Sequence, residues 1–259
     1  MLSKRLVSTA AICLLLAAGT AACGDSKDSK AAAPAAAAVP KLDTDKLSAD
    51  EIQKQAKDAL ATASSVKISG EMNDADGKMT MDLALDTKGQ CTGTMSMPGT
   101  GKFEIISDGK QSFLKPDKDM WTAVGGPNGA KAAELFKGRY LTGFESDDDF
   151  KSLSSVCNLT VLSKQLVEDD GDKSTYTKGS AGTVNGAKTF SLKAKDAKGE
   201  ESTIHVLVEG KPYPVRIEKS GGKESGQVNF GDFDKPLTVQ APPADSVIDF
   251  KKFKELQGA

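Results

Sequence analysis

From Val66 to Gln240, run after run of the chain alternates apolar with polar residues, and this period of two restricts the fold more than any other feature. Val66, Ile68 and Met72 alternate with polar residues before the turn signal Asn73 to Gly77. Met79, Met81, Leu83 and Leu85 follow, then Cys91, Gly93 and Met95, then Phe103 and Ile105 ahead of Asp108-Gly109, a two-residue hairpin signal. The pattern returns after Gly171 over Thr189 to Lys195, Thr203 to Val208, Pro214 to Lys219, Ser225 to Phe230 and Leu237 to Gln240. Short turns between such segments predict consecutive antiparallel strands. Such a sheet presents one apolar face, here running through Ile68, Met72, Met81, Leu83, Phe103, Ile105, Val206 and Val208, and helices must cover it.

Helical signals are fewer. Ser48 and Glu51 fit a capping box with Leu47 and Ile52 as its hydrophobic staple, and Ile52, Ala56, Leu60 and Ala63 then share one helix face. Ala132, Leu135 and Phe136 read as briefly helical. Ser146 before Asp147, Asp148 and Asp149 reads as the acidic start of a helix carrying Phe150, Leu153 and Cys157. A last helix is expected from Ser146's distant counterpart, Ser246, to Leu256. The fold class is therefore α+β: a large antiparallel sheet with helices on one face.

The N-terminus carries a different kind of information. Lys4 and Arg5 precede the apolar run Leu6 to Ala18, and small residues lead to Cys23, in the order of a signal peptide. The run is shorter than the ~20 residues that span a bilayer comfortably. Thr20-Ala21-Ala22-Cys23 resembles a lipobox, with Thr20 where an aliphatic residue is usual, so Cys23 is the expected site of acylation. Residues 24 to 42 are polar and then Ala/Pro-rich, with little to bury, and read as a tether. The expected organisation is a signal peptide over 1–22, a lipidated Cys23 with tether over 23–43, and one domain over 44–259. It places the protein on the outer face of the plasma membrane, attached through its acyl anchor.

Loss of Lys4 and Arg5 with the signal takes the formal net charge from -2 to -4. That mixed, mildly acidic balance speaks against nucleic acid as a partner and against a polybasic membrane-binding face. With Cys13 removed and Cys23 acylated, Cys91 and Cys157 remain as a pair in an oxidising compartment, and a disulfide is expected.

The segments VEGKPYPVRI (208–217), VNFGDFDKP (228–236) and LTVQAPPAD (237–245) resemble the C-terminal strands of LppX/LprG-type actinobacterial lipoproteins, and the N-terminal helix and meander resemble the same group. That group belongs to the wider LolA-like fold. The resemblance implies a curved half-barrel sheet whose concave face is covered by helices, an apolar cavity, and a lipid or lipoglycan ligand held by its acyl chains. It transfers no catalytic residue. Aromatic residues make up only 5% of the chain, so a curved sheet could be left incompletely filled; a fully packed core is the alternative.

No catalytic, cofactor or metal site is expected. The one histidine, His205, lies in a strand pattern between Ile204 and Val206 without candidate ligands nearby in sequence. The closest approach to a nucleophile elbow, Gly179-Ser180-Ala181-Gly182, lacks its form. Asp147 to Asp149 could suggest a cation but suit a helix's first turn. Met79-Thr80-Met81 and Met95-Ser96-Met97 would suit Cu(I) as soft thioethers, yet alternate strand positions also make an apolar stripe, the reading preferred here. Three function classes follow: a lipid carrier or chaperone, an envelope lipoprotein working through protein contacts, and an undetected hydrolase. The oligomeric state is left open.

Overall fold

In the computed structural model, which describes residues 40–146, 153, 156–167, 174–220 and 224–258, the alternating segments become strands of one open sheet. The first meander is β1 (Ser65–Asn73), β2 (Lys78–Asp86), β3 (Gln90–Met97), β4 (Gly101–Asp108), β5 (Ser112–Pro116) and β6 (Tyr140–Thr142). The second is β7 (Thr175–Val184), β8 (Ala187–Lys195), β9 (Glu201–Leu207), β10 (Pro214–Lys219) and β11 (Ser225–Gly231), and β12 (Val247–Asp249) follows. The order across the sheet is β12-β6-β5-β4-β3-β2-β1-β11-β10-β9-β8-β7, so the meanders stand side by side, joined where β1 pairs with β11. Every other pair of neighbours is antiparallel, but β12 lies parallel to β6, and the expected purely antiparallel sheet is in fact mixed. The cause is connectivity. β11 lies beside β1 while β12 lies beyond β6, so the intervening chain crosses the whole first meander and enters the far edge in β6's direction.

That crossing segment accounts for another difference. Leu237 to Gln240, expected as a strand, joins no ladder. Leu237, Val239 and Pro242 are half-buried and their neighbours exposed, so the period of two survives as one-sided packing of an extended strap.

Register places Phe230, Ile68, Leu83, Gly93 and Ile105 in one row across β11, β1, β2, β3 and β4. The next row toward the rim is Val228, Gly70, Met81, Met95 and Phe103. Directly opposed residues share a face, so these rows define the inner, apolar side. Gly93 is needed there: its φ is +154°, and a Cβ would stand 2.0 Å from the Asp82 carbonyl oxygen. The opposite face is largely polar, with pairs such as Lys67–Asp82 at 3.2 Å.

Tight turns are set by aspartates at strand ends. Asp86 Oδ1 accepts from the Lys88 and Gln90 N–H groups, and Asp196 Oδ1 from those of Lys198 and Glu200, all within 2.9 Å.

Helices lie on the inner face: α1 (Ala49–Ala61), α2 (Lys118–Val124), α3 (Gly129–Leu135), α4 (Leu159–Val167) and α5 (Phe250–Gly258). The capping box of α1 is complete, with the Glu51 N–H donating to Ser48 Oγ at 3.2 Å and the Ser48 N–H to Glu51 Oε2 at 2.7 Å. Of the helix expected from Ser146, Leu153 is helical. Ser146 ends a short 3-10 turn, Asp147 to Phe150 lie outside the described residues, and Cys157 sits in a turn ahead of α4. The final helix starts at Phe250, because Val247 to Asp249 are drawn into β12.

Cys91 and Cys157 form a disulfide, with Cα atoms 5.2 Å apart, joining β3 to the approach to α4. Both are buried in a core of Phe103, Ile105, Leu114, Trp121, Phe136, Leu141 and Phe144. Folded structure also begins earlier than residue 44. Lys41 bridges Glu209, the Leu42 N–H donates to the Val208 carbonyl at 2.9 Å, and Leu42 is buried.

A candidate lipid groove between the first helix and the sheet

Among the described residues the apolar side chains form two main cores and a small third cluster of Ala59, Ala63 and Tyr213. The larger covers β1 to β6 under α2, α3, Leu153, Leu159 and Phe250. The smaller packs Leu42, Ile52 and Ala56 on Leu192 and Val206 of β8 and β9. α1 belongs to the smaller core and lies against α4, β7 and β10.

Beneath α1 lies an apolar groove of about 60 Å³, floored by Ile204 of β9, Pro214 and Ile217 of β10 and Phe230 of β11. Its roof is Ala56 and Leu60, with Gln53 and Lys57 also lining it. Gln53 Nε2 donates to the Tyr176 hydroxyl at 3.3 Å, which links α1 to the edge strand β7. The volume is well below the ~300 Å³ at which ordinary small-molecule sites begin. With α1 in this position, the groove is a seam rather than a finished chamber.

The eight residues expected to line a lipid site share the inner face but divide among different surroundings. Ile68, Leu83, Phe103 and Ile105 are buried in the larger core, and Val206 is buried in the smaller one with Val208 packed at its side. Met81 packs on the larger core and is half-exposed; Met72, also half-exposed, lies at the rim. The groove is formed instead by Ile204, Ile217 and Phe230 together with α1. These belonged to legible strands and a legible helix, but no local pattern says which strand a helix will cover.

One end of α1 leads into a polar cluster. Asp234 Oδ1 accepts from the Ser64 N–H at 2.9 Å and the Ser64 hydroxyl at 3.1 Å, and Oδ2 from the Tyr213 hydroxyl at 2.7 Å and Lys211 Nζ at 2.9 Å. The Ser64 backbone donor first, then Tyr213 and Lys211, hold the Asp234 carboxyl far below the usual carboxylate range. Burial first, then Asp234, pushes the Tyr213 phenol up. On the outer face, burial raises the Glu104 carboxyl but hydrogen bonds from Lys115 and Tyr140 outweigh it and leave it lowered.

His205 faces outward on β9, with Nε2 3.5 Å from Glu218 Oε2. Ser191 stands directly opposite it on β8, but its hydroxyl serves the β7 irregularity, accepting from the Ser180 N–H at 2.9 Å and donating to the Ser180 carbonyl at 3.1 Å. That serine, the neighbouring hydroxyl of the pair, is committed to the backbone. Among the described residues no cluster of three or more His, Cys, Asp or Glu side chains could hold a metal ion.

The class of molecule this architecture defines is an open twelve-stranded sheet with helices on one face. The chain is similar to the crystal structure of LprF from Mycobacterium bovis, at 12% identity and a TM-score of 0.49, over 76% of this chain and 97% of that one. It is similar also to the Mycobacterium tuberculosis lipoprotein LppX, at 12% identity and a TM-score of 0.46, over 73% and 96% of the two chains. A LolA superfamily protein from Nitrosomonas europaea follows at 8% identity and a TM-score of 0.25, over 77% and 96%. No family model matches the chain, and no curated protein does.

Proposed function

We propose that the protein binds a lipid or lipoglycan by its acyl chains in the groove under α1, with α1 acting as a displaceable cover, and that acylated Cys23 holds it at the outer face of the plasma membrane. The observation that carries this reading is the apolar seam of Ile204, Pro214, Ile217 and Phe230 beneath a helix whose buried face is half alanine. Ala56 and Ala59 add little burial, at ~0.8 kcal/mol per buried methylene, so Ile52 and Leu60 are the main anchors to be released. Lifting α1 exposes a continuous apolar floor, which an acyl chain then covers in place of the helix. The hydrophobic gain from the chain offsets the loss of helix contacts.

The test is organic extraction and mass spectrometry of the full-length protein purified from its native host, since covalently attached acyl groups stay with the polypeptide. Acyl lipid near one equivalent is expected from the parent, and at least tenfold less from Ile217→Trp, which fills a half-buried position in the groove. Equal lipid in both, or no lipid above that carried by an unrelated acylated protein, sinks the carrier reading and leaves the partner-binding one.

A further inference from the structure

The rim of the inner face holds a row that the lipid reading does not use. Met72 on β1 stands opposite Met79 on β2, and Thr80 opposite Ser96 sets Met97 on β3 beside Met79 in the same register. Glycines close the row at both ends, Gly226 opposite Met72 and Gly101 opposite Met97. All three methionines are half-buried, Met79 and Met97 resting against the larger core, while Met81 and Met95 form the next pair inward. We propose that Met72, Met79 and Met97 form a binding site for a soft monovalent ion, Cu(I) or Ag(I).

The argument begins with spacing. Neighbouring strands lie ~4.8 Å apart, and directly opposed side chains start with Cβ atoms ~5 Å apart. Around a shared ion, with metal–sulfur bonds of ~2.3 Å, the sulfurs need to lie about 4 Å from one another. Two torsions place each methionine sulfur and close that difference between neighbours, and the outer pair, two strand spacings apart at ~10 Å, converges by leaning over Met79 from both sides. Met79 is central, with a thioether on either side, and beside Met97 the space over Gly101 is filled by the first turn of α2, which leaves Met97 to lean toward Met79.

Chemistry then selects the ion. Thioethers are soft, neutral donors, suited to Cu(I) and poorly matched to Zn²⁺, Mg²⁺ or Ca²⁺, which favour imidazole, thiolate or oxygen. Beyond Gly226 the row continues to Lys219, whose ammonium is paired with Glu224. The packing of Met79 and Met97 on the larger core does not itself require thioethers, since aliphatic residues of similar volume would fill the same space.

The experiment titrates Ag(I), and Cu(I) against a chromogenic Cu(I) chelator, into the full chain in mild detergent. Cys13→Ser and Cys23→Ser remove the competing thiols, and the Cys91–Cys157 disulfide is kept. One equivalent at micromolar affinity or tighter is expected, with the methyl NMR signals of Met72, Met79 and Met97 shifting together. Met72→Leu/Met79→Leu/Met97→Leu should weaken binding at least thirtyfold and Met79→Leu alone at least tenfold, while Met120→Leu leaves it unchanged; these swaps nearly conserve volume. Undiminished binding in folded Met79→Leu, shifts confined to other methionines, or no binding by the parent overturns the site.

Discussion

Asp234 shows how one side chain can hold three parts of a chain together. It lies just past β11, reaches Ser64 between α1 and β1, and binds Lys211 and Tyr213 in the β9–β10 turn, where Tyr213 stacks on Phe233 with ring centroids 3.9 Å apart. Its φ of +59° is a left-handed conformation that asparagine also tolerates, so Asp234→Asn removes charge without straining the backbone. A cost of about 1 kcal/mol is expected after allowance for solvent screening, read from the denaturant midpoint at neutral pH. Because the folded carboxyl is depressed, its contribution is complete above the unfolded value of ~4 and is lost as pH falls through the lower folded value. The stability gap between parent and variant should therefore narrow below about pH 4. A gap that persists unchanged to pH 2 would show that charge is not its source.

At the scale of elements, the disulfide and α1 play different parts. The bond closes a span of 66 residues between β3 and the approach to α4, and on the chain-entropy model its removal costs about 4 kcal/mol. Cys91→Ala/Cys157→Ala should unfold at correspondingly lower denaturant while keeping the same sheet by circular dichroism. A midpoint within error of the parent would refute a stabilising role. The pairing was legible because only two cysteines remain after the N-terminal segment is set aside. The start of the next helix was not: α4 begins at Leu159, just past Cys157, with no acidic residue in its first turn to mark it. Local signals worked best where they are self-contained, as at Ser48 and Glu51, whose two reciprocal hydrogen bonds need only three residues of separation.

The whole molecule couples an N-terminal segment read only from sequence with a sheet that begins to pack at Lys41 and Leu42. If Cys23 carries the anchor, Cys23→Ala should release the protein from the membrane fraction or leave it unprocessed, as fractionation and the mass of the mature chain will report. Processed Cys23→Ala protein that stays with membranes would remove the anchor proposal without touching the groove. The strap from Leu237 to Pro242 belongs to this scale too, since it exists only because β11 and β12 lie far apart in the same sheet.

The residues alone determined the strands that alternate strongly, the α1 start, the apolar face and the availability of Cys91 and Cys157 for pairing. Each depends on contacts within a few positions or on composition, which a linear reading can see. Tertiary structure decided that β1 pairs with β11, that β12 joins β6 in parallel, and that Met72, Met79 and Met97 stand in one row. It also divided one apolar stripe between two cores and placed the groove at Ile204, Ile217 and Phe230 beneath α1. Alternation says that a residue faces inward, but what meets it there depends on which distant strand and helix arrive, and a period of two carries no record of either.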